Sequence, residues 1–381
     1  MTPASFSDYR ELARRRLPRM LFDYIDGGSY AEITLRRNTE AMEAVQLRQR
    51  VMRDVSTLSL ATEVFGQKLS MPVVLGPVGM AGMYARRGEA QAARAAEAAG
   101  VASCLSTMSI CGIEEVRQAV RAPAWFQLYM IKDRGYMREL LARARQAEAP
   151  VLVFTVDLTV PGTRYRDVRS GLTAPLPFWA QVARGIDGLS HPAWLYDVML
   201  RGRPHGFGTL ASALPHARGA SEFWVWIRAN FDPSITWADL AWVREQWPGP
   251  IVVKGILDVE DARDAVRAGA DGIVVSNHGG RQLDGAVASV EALPAVADAV
   301  GDRLTVLMDG GVRSGLDVMR ALALGAKACM LGRAWAFPLA ARGGPGVAHM
   351  LETMRGELAT AMALTGCTDV RAADRTLLAR P

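Results

Sequence analysis

Eight short apolar runs recur along the chain, and an amphipathic helical pattern follows most of them. Continuous runs of this length, rich in Val, Ile and Leu, are typical of parallel strands that are buried on both faces. The runs are Met71–Pro77, Ala102–Thr107, Trp125–Tyr129, Val151–Asp157, Ile251–Gly255, Gly272–Asn277, Leu304–Gly310 and Ala328–Gly332. The helical patterns include Glu89–Ala99, Gly112–Val120, Tyr136–Glu148, Val259–Ala268 and Leu316–Leu324.

Eight strand–helix units in this order favour an α/β fold of the (β/α)8 TIM-barrel type. The alternative, a doubly wound sheet, usually carries G-x-G-x-x-G after its first strand, whereas this chain has Gly76-Pro77-Val78-Gly79-Met80 there. We expect a single domain over residues 1–381, with the barrel formed by 71–157 and 250–366.

Two segments lie outside the eight units. Residues 1–70 are expected to form a helical N-terminal extension, in which a helix begins at Pro18 and ends at Gly27-Gly28. Residues 158–249 form an insertion after strand 4 that is too long for an ordinary connection, so we expect a lid or a segment for membrane contact.

Hydrogen-bonding groups stand at almost every predicted strand end. In a barrel the carboxyl ends of the strands meet on one face, and a buried polar group is costly unless it is paired. We therefore expect a large polar cavity that holds a cofactor as well as a substrate. The ends are Pro77-Val78-Gly79, Ser106-Thr107, Gln127-Leu128-Tyr129, Thr155-Val156-Asp157, Lys254-Gly255, Ser276-Asn277-His278, Asp309-Gly310-Gly311 and Gly332-Arg333.

The last two of these ends indicate a phosphate site. Asp309-Gly310-Gly311-Val312-Arg313-Ser314-Gly315 precedes a predicted helix, and Gly332-Arg333 follows the eighth strand. Glycines let backbone N–H groups approach an anion, and a helix N-terminus adds positive partial charge. The alternative is a pair of tight turns with surface arginines.

Lys254 and His278 are the candidate chemical groups inside the barrel. Lys254 could act as a Schiff-base nucleophile, as a structural ion-pair partner or as a fixed charge beside a cofactor. His278 is the one histidine that ends a strand, and Asp157 could orient it and stabilise its protonated form, as a general base requires. The spacing of the histidines predicts no metal site.

Arg164 and Arg281 could together bind a carboxylate through bidentate hydrogen bonds. Tyr24 and Tyr129 add hydroxyl groups that could contact a substrate, although each alone is also typical of amphipathic packing.

The stretch Gly272-Ile273-Val274-Val275-Ser276-Asn277-His278-Gly279-Gly280-Arg281-Gln282-Leu283-Asp284 resembles the active-site signature of the FMN-dependent α-hydroxy acid dehydrogenase and oxidase family. Within that family the chain is most similar to the bacterial respiratory L-lactate dehydrogenases, from about Ser7 to Cys367. Further likeness lies in residues 22–28 (FDYIDGG), 125–129 (WFQLY), 154–157 (FTVD) and 161–166 (PGTRYR).

The resemblance implies a role for each matching residue. His278 would be the base and Asp157 its support, while Arg164, Arg281, Tyr24 and Tyr129 would bind the substrate. Lys254 would lie near the N1–O2 edge of the flavin, where its charge favours the anionic reduced form. The residues implied in FMN binding are Pro77, Gly79, Ser106, Gln127, Thr155, Lys254, Ser276, Asp309, Gly311, Arg313, Gly332 and Arg333.

The implied reaction is the oxidation of an L-2-hydroxy acid, L-lactate to pyruvate above others, with electrons passing to a quinone-type membrane acceptor. L-Mandelate or a longer 2-hydroxy acid, and a soluble oxidase that uses oxygen, remain open. By resemblance, Ala81 and Met108 would line the side-chain end of the pocket. A homo-oligomer, a tetramer in this family, is also implied.

The insertion carries two apolar patterns near helical spacing: Phe178, Val182, Ile186 and Leu189, and then Trp194, Leu195, Val198 and Met199. Arginines flank both patterns, at positions 184, 201, 203 and 218. Such faces suit a helix in a membrane interface, and equally a helix packed on the barrel or on a neighbouring subunit. The resemblance favours a peripheral enzyme on the cytoplasmic face of the inner membrane over a soluble cytoplasmic one.

Composition narrows the remaining function classes. The net charge is +5, and the 40 arginines that accompany only 4 lysines are dispersed near acidic residues, which disfavours nucleic-acid binding. The four cysteines form no C-x-x-C pair, and neither a secretory signal nor an apolar run long enough to span a bilayer is evident. Two alternatives outside the family are a sugar-phosphate lyase that uses Lys254 and a membrane-docking protein without catalysis.

Overall fold

A closed barrel of eight parallel strands forms the centre of the computed structural model, which describes residues 2–174, 176–211 and 220–379. Each strand pairs with the next in chain order and the last pairs with the first, which confirms the predicted (β/α)8 topology. The barrel strands are β3 (Val73–Leu75), β4 (Ala102–Ser106), β5 (Trp125–Tyr129), β6 (Leu152–Thr155), β7 (Ile251–Ile256), β8 (Gly272–Val275), β9 (Thr305–Met308) and β10 (Ala328–Leu331).

Helices surround the barrel, and one of them follows most strands. Those of the extension are α1 (Phe6–Arg16), α2 (Arg19–Asp26) and α3 (Ile33–Ala44). Those of the insertion are α7 (Tyr165–Arg169), α8 (Phe178–Leu189), α9 (Pro192–Trp194, continued by a wider turn over Leu195–Leu200), α10 (Ala220–Asn230) and α11 (Ala238–Gln246). The others are α4 (Gly88–Ala99), α5 (Ile113–Ala119), α6 (Arg134–Gln146), α12 (Val259–Arg267), α13 (Ser289–Val300), α14 (Gly315–Ala323), α15 (Arg333–Arg342) and α16 (Gly344–Thr365).

Most strands end earlier than the apolar runs predict, although β5 ends with its run and β7 continues to Ile256. The run Gly272–Asn277, for example, gives a strand over Gly272–Val275 only. His278, Gly279 and Gly280 follow with φ values of 56°, 64° and 74°, a left-handed backbone that cannot continue a strand. His278, Asp309 and Gly332 therefore lie on loops above the barrel, whereas Ser106, Gln127, Thr155 and Lys254 lie within the strands themselves.

The N-terminal extension is only partly helical, which corrects the prediction of a helical segment over residues 1–70. Helix α2 begins after Pro18 and ends at Gly27, as predicted. Beyond Ala44 the chain has no helix before the barrel but forms an antiparallel hairpin, β1 (Thr62–Val64) and β2 (Gln67–Leu69), because Gly66 takes the positive φ of 74° that its turn needs.

The hairpin closes the bottom of the barrel. The Phe65 ring packs edge-on against Trp125 with centroids 5.7 Å apart, and Trp125 Nε1 donates to Gln67 Oε1 at 3.0 Å. Val64 and Leu69 join the buried cluster formed by Val74, Val153, Val252, Val274 and Leu307. Because packing fills this end, a ligand can enter the barrel only at the opposite end.

The two apolar patterns of the insertion behave differently. In α8 no residue is buried, and Phe178, Trp179, Ile186 and Leu189 are 81%, 73%, 63% and 69% exposed. Trp194 and Val198 instead pack against the protein, and Trp194 Nε1 donates to the Met83 carbonyl at 2.8 Å. Of the two patterns, only the first, on α8, is therefore exposed for contact with a membrane or another protein.

Arg218, the last of the arginines predicted to flank these patterns, lies outside the described residues. Among the residues that the structure does describe, no helix combines the length and the apolarity needed to cross a bilayer.

Candidate active site

A cavity of about 1150 Å³, counting the open space at its mouth, lies at the carboxyl ends of the strands. Most of the predicted site residues line it. They are Tyr24, Pro77, Gly79, Ser106, Tyr129, Thr155, Arg164, Lys254, His278, Arg281, Asp309, Gly311, Arg313, Gly332 and Arg333. The other three, Gln127, Asp157 and Ser276, each hydrogen-bond to a lining residue.

His278 and Asp157 form a buried pair. The His278 Nδ1 atom lies 2.8 Å from Asp157 Oδ1, and the two side chains are 17% and 12% exposed. Burial lowers the pKa of His278, as do the charges of Lys254 and Arg164, and Asp157 only partly offsets them. The imidazole is therefore neutral near pH 7, and because Asp157 engages Nδ1, Nε2 is the nitrogen left to accept a proton.

The Asp157 carboxylate is ionised in this setting. Burial by itself would raise the pKa of Asp157, but the attraction of His278 and Lys254 outweighs it and the pKa is lowered. A negative charge beside Nδ1 stabilises the imidazolium that forms when Nε2 takes up a proton.

Two arginines converge on the ring of Tyr24. The guanidinium carbons of Arg281 and Arg164 lie 4.7 Å and 5.9 Å from the ring centroid, and Arg164 Nε donates to the Arg281 carbonyl at 3.4 Å. Burial and the neighbouring charge of Arg281 lower the pKa of Arg164. Asp167, 3.6 Å from Arg164 Nη1, offsets only part of this positive charge, so the pair is suited to bind a carboxylate.

Lys254 is held as a charged group. Its Nζ atom lies 2.8 Å from Asp309 Oδ2 and donates to Ser276 Oγ at 2.8 Å. Burial would lower the pKa of Lys254, but the attraction of Asp309 and Asp157 raises it above the ordinary value. A Schiff-base nucleophile must be a free amine, so the geometry favours the fixed charge over the lyase alternative.

Several polar atoms near the barrel axis have no hydrogen-bond partner among the described residues. They include Gln127 Nε2, Thr155 Oγ1 and Asp309 Oδ1, all fully buried. Such atoms are costly unless a ligand or water pairs with them. The Gln127 amide donor and the Thr155 hydroxyl match the alternating C=O and N–H groups of an isoalloxazine ring, and the Asp309 carboxylate can accept from a ribityl hydroxyl, so the residues present fit FMN.

The end of the cavity where the sequence predicts a phosphate is built on close backbone approaches. Gly310 and Gly311 have φ values of 87° and 90°, and a Cβ on Gly311 would lie 2.3 Å from the Asn38 carbonyl oxygen. Arg333 donates to the carbonyls of Ile25, Gly27 and Gly279 at 2.8–2.9 Å.

The arginines at this end carry buried positive charge. Within the described chain, neither Arg313 nor Arg333 is ion-paired to a carboxylate. Burial lowers the pKa of Arg313 to about 10, and burial with neighbouring arginines lowers that of Arg333 well below its ordinary value. A dianionic phosphate would offset the free-energy cost of burying the positive charges of both arginines.

One sequence expectation about the lining is wrong. Met108 lines the cavity as the resemblance implies, but Ala81 does not. Ala81 starts a tight helical turn and is fully buried against α4, where a Cβ on Gly88 would lie 2.3 Å from the Ala81 carbonyl oxygen.

Sequence reasoning also missed residues that shape the site. Tyr84, which donates to the Gly79 carbonyl at 2.8 Å, and Leu158 lie in the connections that follow β3 and β6, where a longer reading of each connection would have found them. Ile227 comes from the insertion, and Asn38 pairs with Asn277 from 239 residues away. No local pattern marks the last two.

Comparisons with known proteins agree with this geometry. Residues 13–380 match the family described as FMN-dependent dehydrogenase. The L-lactate dehydrogenase of Caulobacter sp. (strain K31) is 58% identical, over 100% of this chain and 99% of the relative. That of Acinetobacter baylyi is 54% identical, over 97% and 96%.

Solved structures agree as well. A crystal structure of the monotopic membrane protein (S)-mandelate dehydrogenase superimposes with a TM-score of 0.93 at 35% identity, covering 100% of both chains. A mandelate oxidase with bound (S)-4-hydroxymandelic acid has a TM-score of 0.84 at 39% identity, covering 97% of both. With a family match that spans nearly the whole chain, and a cavity whose unpaired groups fit the cofactor, the chain belongs to the FMN-dependent dehydrogenase family and is a flavoenzyme that uses FMN.

Proposed function

We propose that this enzyme oxidises L-lactate to pyruvate and passes the electrons to a membrane quinone. The observation that carries the proposal is the His278–Asp157 pair, in which the Nδ1–Oδ1 distance is 2.8 Å, in the same cavity as the Arg164–Arg281 pair. A base and a carboxylate clamp are what a 2-hydroxy acid requires. The relatives named L-lactate dehydrogenases, at 58% and 54% identity, support lactate as the acid.

The residues divide the chemistry among them. Arg164 and Arg281 bind the substrate carboxylate and orient the hydroxyl toward His278. His278 takes the hydroxyl proton at Nε2 while Asp157 holds Nδ1 and stabilises the imidazolium. FMN, when bound, supplies the two-electron acceptor for the substrate α-carbon.

The cofactor would be held in two parts. Pro77, Gly79, Ser106, Gln127, Thr155, Lys254 and Ser276 would surround the ring system, and Asp309, Gly311, Arg313, Gly332 and Arg333 the ribityl-phosphate arm. The charge of Lys254 would stabilise negative charge that develops on the ring.

The visible spectrum of the purified, FMN-replete enzyme tests the substrate. Under argon, we expect L-lactate to bleach the flavin absorbance faster than L-mandelate, glycolate or a longer 2-hydroxy acid at equal concentration. D-Lactate is the matched control and should leave the spectrum unchanged. Faster bleaching by L-mandelate would replace lactate with the larger acid.

The electron acceptor is tested by reoxidation of the bleached enzyme. We expect a short-chain ubiquinone analogue to restore the absorbance much faster than air-saturated buffer, with little peroxide formed. Stoichiometric peroxide and no quinone reduction would instead identify a soluble oxidase.

We also propose that α8 docks the enzyme on the cytoplasmic face of the inner membrane. Its exposed apolar residues include Phe178, Trp179 and Ile186, and an exposed face of this kind on one helix is typical of an interaction site. Nearby Arg184, Arg201 and Arg203 add charge that suits anionic headgroups. The structural relative described as a monotopic membrane protein supports this placement.

Cosedimentation with anionic vesicles tests the docking. Replacing Phe178, Trp179 and Ile186 with Ser should release the enzyme into the supernatant, since each large apolar side chain contributes about 1.5–3 kcal/mol when buried. The matched control is Met52→Ser, which alters a side chain that is 99% exposed on another segment and should leave binding unchanged. Undiminished cosedimentation of the triple variant would contradict the proposal.

A further inference from the structure

Helix α10 of the insertion brings the side chain of Ile227 to the lining of the catalytic cavity. We propose that Ile227 sets the upper size limit for the substituent on the α-carbon of the substrate. The inference rests on the proposed function, because it assumes that the substrate is a 2-hydroxy acid, and it deepens that function by naming small aliphatic acids as the preferred class.

The C-terminal end of α10 is anchored firmly beside β5. Phe231 forms a backbone bridge with Ile131, and the Phe231 ring packs on the Tyr129 ring with centroids 5.2 Å apart. Lys132 adds two bonds, from its backbone N–H to the Asn230 carbonyl at 2.8 Å and from Nζ to the Ala229 carbonyl at 2.7 Å. These contacts therefore hold the C-terminal end of α10 in a fixed position.

Ile227 lies one helical turn before that anchor. The backbone N–H of Phe231 donates to the Ile227 carbonyl at 3.0 Å, so Ile227 lies one helical turn from the ring contact between Phe231 and Tyr129. Tyr129, Arg164 and Ile227 line the same cavity, and Arg228 lines the neighbouring cavity together with Arg164. Ile227 thus faces the substrate end of the cavity and not the phosphate end.

The other lining residues indicate which part of the substrate Ile227 contacts. The polar groups of a 2-hydroxy acid are matched by the arginines and by His278, and the substituent on its α-carbon is the part that needs an apolar surface. Met108, Leu158 and Ile227 offer that surface, and Ile227 is only 1% exposed although the cavity opens to solvent. Its side chain is therefore held by its neighbours and cannot move aside to admit a phenyl ring at this part of the lining.

A second cavity lies beside the C-terminal part of α10. A neighbouring cavity of about 860 Å³ is lined by Arg228, the next residue of α10, and shares Pro161 and Arg164 with the catalytic cavity. Truncating Ile227 should therefore enlarge the pocket toward existing space.

The test is the ratio of kcat/KM for L-mandelate to kcat/KM for L-lactate. Ile227→Ala removes three carbon atoms, and since one methylene in a pocket changes discrimination by about 10–200-fold, we expect the ratio to rise by at least about tenfold. Ile227→Phe should lower the ratio. Val225→Ala, on an exposed face of the same helix, is the matched control and should leave the ratio unchanged.

Ligand binding gives a second readout that needs no turnover. Titration of the oxidised enzyme with phenylacetate and with propionate, followed by flavin absorbance, should show tighter phenylacetate binding in Ile227→Ala alone. If that variant does not fold, Ile227→Val should show smaller changes of the same sign in both measurements. Unchanged ratios and affinities in folded, yellow variants would overturn the inference. A wild-type enzyme that retains FMN but oxidises no 2-hydroxy acid would instead overturn the proposed function.

Discussion

At the scale of single residues, His278 combines a candidate catalytic side chain with a backbone conformation that most residues avoid. Its φ of 56° carries a strain of about 1–2 kcal/mol. The strain is met by a bond from its N–H to Ser276 Oγ at 3.0 Å and by the reciprocal amide bonds between Asn277 and Asn38, at 2.8 and 2.7 Å. Hydrogen bonds of Ser276, Asn277 and Asn38 therefore orient the imidazole, although these residues take no part in the proposed proton transfer.

The pH dependence of kcat/KM tests the base. Since burial lowers the pKa of His278, the neutral form persists below the ordinary value of 6.5 and is lost as pH falls further. We expect kcat/KM to decline only on that acid side, and His278→Gln to reduce kcat at least about 100-fold while the protein stays yellow.

Asp157→Asn should also lower kcat strongly, because the imidazolium loses its counter-charge. The same change should shift the acid limb to lower pH, since Asp157 is the group that raises the pKa of His278. An acid limb that stays in place in Asp157→Asn would show that another group titrates.

At the scale of elements, the end of α2 links the proposed substrate site to the proposed phosphate site. The last carbonyls of a helix lack partners within it. Here Arg281 donates to the carbonyls of Tyr24 and Gly27, and Arg333 donates to those of Ile25 and Gly27. The C-terminal end of α2 therefore positions Arg281 for the proposed substrate and Arg333 for the proposed phosphate.

Asp26 holds this helix end in place. Its carboxylate accepts bonds from Arg10 at 2.6 and 2.7 Å and from Arg166 at 2.8 Å, which join α1, α2 and α7. We expect Asp26→Asn to raise both KM for L-lactate and the Kd of FMN severalfold, with a smaller effect on kcat. Steady-state kinetics and a fluorescence titration measure these constants.

Glu11→Gln is the matched control for that variant, because Glu11 pairs only with Arg14 and Arg15 on the surface of α1 in the described structure. It should change neither constant. If a folded Asp26→Asn enzyme kept both constants at their wild-type values, the positioning role of α2 would be contradicted.

At the scale of the whole molecule, the site collects residues from all eight barrel strands or the loops that follow them. Binding of FMN should therefore stabilise the entire fold, by about 2.7 kcal/mol at a hundredfold excess over Kd. We expect the melting temperature of the apoenzyme to rise several degrees with FMN.

Riboflavin, which lacks the phosphate, should bind on the order of 100-fold more weakly, because charge-assisted bonds to Arg313 and Arg333 are lost. Arg313→Gln should reduce the difference between the two flavins. Equal shifts of the melting temperature with FMN and riboflavin would contradict the assignment of the phosphate loops.

The homotetramer that the resemblance implies stays a prediction, which light scattering on the eluted holoenzyme would test.

The order of strands and helices, the barrel they close and the polar strand ends were all determined by the sequence alone. The reason is local: strands buried on both faces require continuous apolar runs, and residues such as Asp157, Lys254 and His278 stand at or just after the ends of those runs. Motif resemblance added the roles of residues such as Arg164 and Tyr24, which no strand end marks.

Only the tertiary structure decided the contacts that depend on distant segments. Asn38 pairs with Asn277 across 239 positions, Ile227 reaches the cavity from the insertion, and Ala81 is buried without lining it. The same holds for the two apolar patterns of the insertion, of which one is buried and the other exposed. Periodicity states that a helix has an apolar face, but only the packed molecule settles what that face contacts.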